Sequence, residues 1–186
     1  ELDKVLALGV TPDRLSFGNT IKKAKDIRTF YQKGVRMFAT DSEADLRNIA
    51  KAAPGARIYT RILTEGTLTA DWPLSRKFGC ESDMAMDLLI LARDLGLEPY
   101  GVSFHVGSQQ REIGAWDAAL GKVKVIFNRL WEEDRIKLKM INMGGGFPAN
   151  YLQRTNELSI YAEEIARFLH EDFLDYMPEI IIEPGR

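Results

Sequence analysis

Eight residues, spread over the ends of three apolar segments, have side chains or bare backbone suited to an anion and a flat ring. Gly144, Gly145 and Gly146 follow the apolar run of Leu138, Met140 and Ile141. Three consecutive residues without a Cβ leave backbone N–H groups uncovered, so an anion can approach the main chain closely. His105 and Ser108 end an earlier segment, while Glu183, Gly185 and Arg186 follow a later one, Ile180-Ile181-Ile182. Glycine N–H groups, a serine hydroxyl and an arginine suit a phosphate dianion. A flat imidazole suits stacking on a heteroaromatic ring, and a carboxylate opposite it suits a protonated ring nitrogen. Each feature alone has a plainer reading: a glycine run is a tight turn, a strand-end histidine a hydrogen-bonded core residue, Pro-Gly a turn. Their coincidence argues for one site, and a phosphorylated pyridine fits all of it. Pyridoxal 5'-phosphate is the obvious candidate.

The elements that would position these residues follow a repeating plan. After a short opening helix with Leu2, Val5 and Leu6, stopped at Gly9, six strand patterns appear: 14–18, 36–39, 57–62, 99–105, 138–141 and 179–182. Helical spacing separates them, with Ile21, Ala24, Ile27 and Tyr31, then Leu46 and Ile49, then Met84, Leu88, Leu91 and Leu95. The longest helix runs from about Ile113 to Trp131, where Ile113, Trp116, Leu120, Val123, Phe127 and Leu130 alternate spacings of three and four. A last helix carries Leu158, Tyr161, Ile165, Phe168 and Leu169. Successive strand-then-helix units predict a parallel α/β architecture. Either an open doubly wound sheet or part of a (β/α)8 barrel satisfies the pattern; a complete barrel takes about 250 residues. In both, chemistry lies at the carboxyl ends of the strands. The polar stretch Leu63 to Gly79 predicts a long mobile loop.

Composition excludes several classes. The 186 residues are 45% hydrophobic and 28% charged, with a net charge of -2 and interspersed signs. No basic face favours nucleic acid or an anionic membrane, and no apolar run approaches the roughly 18 residues that span a bilayer. The start, with Glu1, Asp3 and Lys4, is unlike a signal peptide. One cysteine and two histidines predict no disulfide, no dedicated zinc site and a reducing cytoplasm. Cys80, the Met84 and Met86 pair and the helix aromatics read as core filling, and His170 as a surface residue.

Three stretches carry a family resemblance. Gly101-Val102-Ser103-Phe104-His105-Val106-Gly107-Ser108, Gly144-Gly145-Gly146-Phe147-Pro148 and Glu183-Pro184-Gly185-Arg186 resemble motifs of the pyridoxal-phosphate decarboxylases acting on ornithine, lysine, arginine and diaminopimelate, whose barrel is alanine racemase-like. Leu74-Ser75-Arg76-Lys77-Phe78-Gly79 resembles another. Within that group the first stretch is most similar to ornithine decarboxylase, and Trp72 to Gly79 to bacterial ornithine or lysine/ornithine members. The resemblance implies a partial TIM-type (β/α)8 barrel whose six strands are the family's third through eighth, the first two being absent. It implies that His105 stacks on the cofactor ring, that Ser108, Gly144, Gly145, Gly146, Gly185 and Arg186 surround the phosphate, and that Glu183 pairs with the pyridine nitrogen.

The resemblance also implies what these residues do not contain. The family's lysine that holds the cofactor aldehyde lies on the first strand, and its catalytic cysteine lies in a second, β-rich domain; Cys80 is not that cysteine. Lys22 and Lys77 sit in or beside strand-end loops, but such a lysine needs a desolvated, positioned site, and neither is expected to substitute for it. Pro73 stands where many members carry an arginine. The expectation is therefore a pyridoxal-binding portion of a homodimeric decarboxylase that takes a small amino acid, ornithine to putrescine first, with lysine, diaminopimelate or arginine as alternatives. A non-catalytic homologue is the reading from another class. The 186 residues alone are expected to be inactive.

Overall fold

The computed structural model describes residues 1–65, 69–73 and 77–185. A short helix α1 (Leu2–Ala7) precedes β1 (Ser16–Phe17), α2 (Ala24–Gln32), β2 (Met37–Thr40), α3 (Glu43–Ala52), β3 (Arg57–Arg61), α4 (Ser82–Asp94), β4 (Glu98–Ser103), α5 (Gly114–Asp134), β5 (Met140–Asn142), α6 (Leu158–Phe173) and β6 (Glu179–Ile181). All six strands are parallel, in the order β1-β2-β3-β4-β5-β6. A doubly wound sheet would reverse direction partway. Here every strand adds to the same edge, as in a barrel, and the open-sheet alternative falls.

The sheet is strongly curved. Laid flat, five steps of about 4.8 Å would part β1 from β6 by about 24 Å. Instead, a Cβ placed on Gly18, just past β1, would lie 4.0 Å from Glu183 Oε1, just past β6. The result is a six-stranded half-barrel with a concave inner face.

Alternation along each strand sends residues to opposite faces. Phe38, Ile58, Val102 and Ile141 pack outward with Leu46, Ile49, Leu89, Trp116, Leu120 and Val123 of the helices, all fully buried. The inner face carries a separate, smaller cluster of Met37, Ala39, Tyr59 and Met140, joined by Tyr100 and Ile181. At the amino ends of the strands, charged residues close the trough on themselves. Glu98 pairs with Arg57 at 3.4 Å and with Lys139 at 2.7 Å. The Tyr100 hydroxyl donates to Glu179 at 3.1 Å, and the Arg57 guanidinium lies 4.9 Å from the Tyr100 ring centre.

Several expectations shift. Ile21 lies in the loop before α2 and is exposed, while Met84, Trp131 and Leu158 sit on the solvent sides of their helices. Helical spacing marks a stripe, but its margins are decided by which neighbours cover them. Met86 and Cys80 are buried as expected and His170 is exposed. Of the stretch from Leu63 to Gly79, residues 66–68 and 74–76 lie outside the described residues. The described parts are tied down: Trp72 forms an antiparallel bridge with Ser108, Asp71 pairs with Arg111, and Asp41 accepts the Gly79 N–H at 2.8 Å. No helix among the described residues is long and apolar enough to cross a membrane.

Candidate active site

Register places the unusual residues on one level of the concave face. Arg61 pairs with Ser103, Ser103 with Asn142, and Asn142 with Ile181. Two residues further on, the same inward positions are His105, Gly144 and Glu183. With Gly18 just past β1 and Tyr59 from β3, they line a single cavity at the carboxyl ends of the strands.

His105 has its protonation state arranged by its own turn. The Gly107 N–H donates to His105 Nδ1 at 3.0 Å, so the neutral ring carries its proton on Nε2. Burial lowers the imidazole pKa from its ordinary 6.5, the Arg61 guanidinium lowers it further, and Glu183 opposes both. A neutral, flat ring results.

The glycine triplet is wedged between its two neighbours. A Cβ on Gly145 would stand 2.5 Å from the Glu183 carbonyl oxygen, and one on Gly146, whose φ is +107°, 2.5 Å from that of Gly107. Both lie well inside van der Waals contact, so close packing alone demands glycine here. The Gly144 N–H is not available, since it donates to Asn142 Oδ1 at 2.9 Å. The N–H groups of Gly145 and Gly146 have no acceptor among the described residues. The uncovered donors thus number two rather than three.

Asn142 links the triplet to the carboxylate. Its Nδ2 donates to Glu183 Oε1 at 3.1 Å while its Oδ1 takes the Gly144 N–H; this pair of bonds sets the orientation of the amide. Glu183 Oε2 has no donor among the described residues.

Arg61 and Tyr59 are functional candidates that the sequence reading missed. Arg61 is half-buried, and its guanidinium lies 5.5 Å from the Phe78 ring centre, with no hydrogen bond or ion pair among the described residues. Burial lowers its pKa and Glu183 and Asp41 raise it, yet an arginine stays cationic throughout the ordinary range. Tyr59 is buried, with its hydroxyl 3.4 Å from Ser16 Oγ and its pKa pushed up to about 12 by burial, so it is a neutral donor. One signal was present. Buried parallel strands are apolar on both faces, whereas Arg57, Tyr59 and Arg61 put polar groups at every second position.

Of the residues singled out from sequence, His105, Gly144 and Glu183 line the cavity, and Gly145 stands against His105 and Glu183. Gly146 meets the turn after β4. Ser108 lies in that turn, its backbone paired in both directions with Trp72. Gly185 is exposed, with open space around it, and Arg186 lies outside the described residues. Lys22 is buried elsewhere, its Nζ held by Asp45 at 2.7 Å and by the carbonyls of Ala39 and Asn19. Lys77 is exposed.

Two free N–H groups, an unpaired guanidinium, a neutral imidazole and an open carboxylate oxygen suit an anionic group carrying an aromatic ring with a protonated nitrogen. A pyridoxal phosphate has that chemistry. Comparison with known proteins gives the same answer. Antizyme inhibitor 2 of Xenopus laevis is 33% identical over 100% of this chain and 40% of its own length. Ornithine decarboxylase 2 of Drosophila melanogaster is 34% identical over 100% of the chain and 46% of its own. The solved structure of SrLDC with PLP and cadaverine superposes with a TM-score of 0.87 at 31% identity, covering 99% of this chain and 45% of that one. The chain therefore spans less than half the length of these relatives. Residues 1–186 match the domain described as pyridoxal-dependent decarboxylase, pyridoxal binding domain, and the chain belongs to that family.

Proposed function

We propose that this chain is the cofactor-binding part of a decarboxylase that converts L-ornithine to putrescine and carbon dioxide. The observation that carries the reading is the set of groups left without partners among the described residues at the carboxyl end of the trough. Gly145 and Gly146 would offer their N–H groups to the phosphate, with Gly144 shaping the turn and Ser108, Gly185 and Arg186 beside it. His105 would lay its neutral ring on the pyridine without adding a like charge. Glu183, steadied on one oxygen by Asn142, would hold a proton on the pyridine nitrogen with the other. When bound, the cofactor supplies a sink for the electron pair left at Cα as carbon dioxide departs. Arg61 adds a fixed positive charge on the same level, favouring anionic groups there.

No lysine among the described residues faces this cavity. The amine that holds the cofactor aldehyde, the catalytic cysteine and the acidic groups that select the substrate would come from outside these residues, with the active site completed in a cytoplasmic homodimer. The test is carbon dioxide release by the full-length protein with pyridoxal phosphate and ornithine, lysine, diaminopimelate or arginine in turn. Ornithine is expected to turn over fastest; no turnover of ornithine sinks the assignment, and the 186 residues alone are expected to release none.

A second reading is favoured by the antizyme inhibitor among the relatives: a homologue that binds partner or cofactor without catalysis. It predicts no carbon dioxide from any of the four substrates.

A further inference from the structure

Two consecutive glutamines in the turn after β4 are fully buried, and no step above uses them. Gln109 sits at φ +59°, a conformation that a residue with a Cβ adopts only at a cost. Its side chain reaches across to the segment after the glycine triplet. There Nε2 donates to the Ala149 carbonyl at 2.5 Å and Oε1 accepts the Ala149 N–H at 3.1 Å. One amide side chain thereby satisfies both backbone groups of a residue 40 positions away, as a neighbouring strand would. Gln110 grips the same segment through its backbone, donating its N–H to the Gly146 carbonyl at 2.8 Å. Its side chain is anchored in turn, donating to the Val106 carbonyl at 3.0 Å and accepting the Glu112 N–H at 3.0 Å. Between these two grips, Phe147 packs on Trp116, ring centres 5.2 Å apart.

The other side of the triplet is fixed separately, by Asn142 on the Gly144 N–H and by the Glu183 N–H on the Gly144 carbonyl at 2.7 Å. The two free N–H groups, of Gly145 and Gly146, lie between these anchors. A left-handed backbone and two buried amide bonds are a demanding way to build a turn, and what they produce is a fixed direction for those two donors.

The geometry points to Gln109 as a positioning residue that sets affinity for the phosphate of the cofactor by holding the Gly145 and Gly146 N–H groups in place. This rests on the cofactor reading above. Gln109→Gly removes the amide bracket while relieving the left-handed backbone. Gln109→Glu keeps the acceptor for the Ala149 N–H and sets a carboxylate oxygen against the Ala149 carbonyl.

The experiment uses the full-length protein. Affinity is measured for pyridoxal 5'-phosphate and, separately, for pyridoxal, which lacks the phosphate; deuterium uptake of peptides covering residues 144–149 is measured without either. Both variants are expected to weaken pyridoxal phosphate about tenfold, the loss of roughly one hydrogen bond to a charged group, to leave pyridoxal unchanged and to speed exchange in 144–149. Equal weakening of both ligands would mean general loosening and would overturn the inference. So would unchanged phosphate affinity with unchanged exchange in Gln109→Gly. If the unsubstituted protein binds neither ligand, the cofactor reading itself fails, while the exchange measurement still decides whether Gln109 holds the segment.

Discussion

The two ends of the same strands make opposite use of the same residue types. β3 carries Arg57 at its start and Arg61 at its end, and Glu179 and Glu183 stand four residues apart at β6. At the amino ends, Arg57, Glu98, Lys139 and Glu179 are occupied with one another and with Tyr100. At the carboxyl ends, among the described residues, Arg61 meets only a ring face and Glu183 keeps one oxygen open. A protein that wanted only a closed trough could have satisfied both ends alike. Arg61 is half-buried yet has no ion-pair or hydrogen-bond partner among the described residues, which costs stability, so the imbalance marks the end where something else supplies the partner.

Substitutions can break this contrast. The largest effect is expected from Gly145→Ala, since its Cβ would stand 2.5 Å from the Glu183 carbonyl oxygen. The ends of β5 and β6 must then part, and pyridoxal phosphate affinity should fall by about 100-fold or more, read by absorbance titration. Arg61→Met should weaken the cofactor about 10- to 100-fold while leaving thermal stability equal or higher, because the lost group had no hydrogen-bond or ion-pair partner among the described residues. A fall in melting temperature with unchanged affinity would reverse the contrast for that residue. At the other end, Arg57→Met should cost at most about 1 kcal/mol in denaturant unfolding, because its pair with Glu98 is half-exposed, and leave cofactor affinity untouched.

The smallest effect concerns pH. Because the His105 pKa is lowered on folding, the unfolded chain binds its proton first as pH falls. The stability this group contributes is intact above its ordinary value of 6.5, declines below it, and levels off once the lowered folded value is passed. Melting curves between pH 7.5 and 5.5 should lose that component of the slope in His105→Phe.

Much of the fold was legible because short apolar runs are separated by helices that carry an apolar stripe, which is the pattern of a parallel α/β fold. The triplet and His105 could be found from sequence because they coincide with Glu183 at the ends of neighbouring strands, although each alone has an ordinary reading. Arg61 was harder to find: the polar alternation of Arg57, Tyr59 and Arg61 stood in the sequence, but its importance depends on curvature that brings β1 and β6 together. Asn142 was passed over for a related reason. Its two amide bonds run to residues 2 and 41 positions away, and only the first of these separations is local enough to suggest itself. The number of uncovered glycine N–H groups was overestimated because a neighbouring asparagine can take one.

The stacking of Arg61 on Phe78 has a consequence for the entropy of binding. Freezing a long, flexible side chain against a ligand costs about 0.5–1.5 kcal/mol, and a guanidinium waving in solvent would add that to the cost of every encounter. With a ring centre 5.5 Å away, the arginine has an aromatic surface beside it that limits this cost, and no acceptor among the described residues that a ligand must displace. An aromatic surface restrains a cation while leaving all five of its donors vacant.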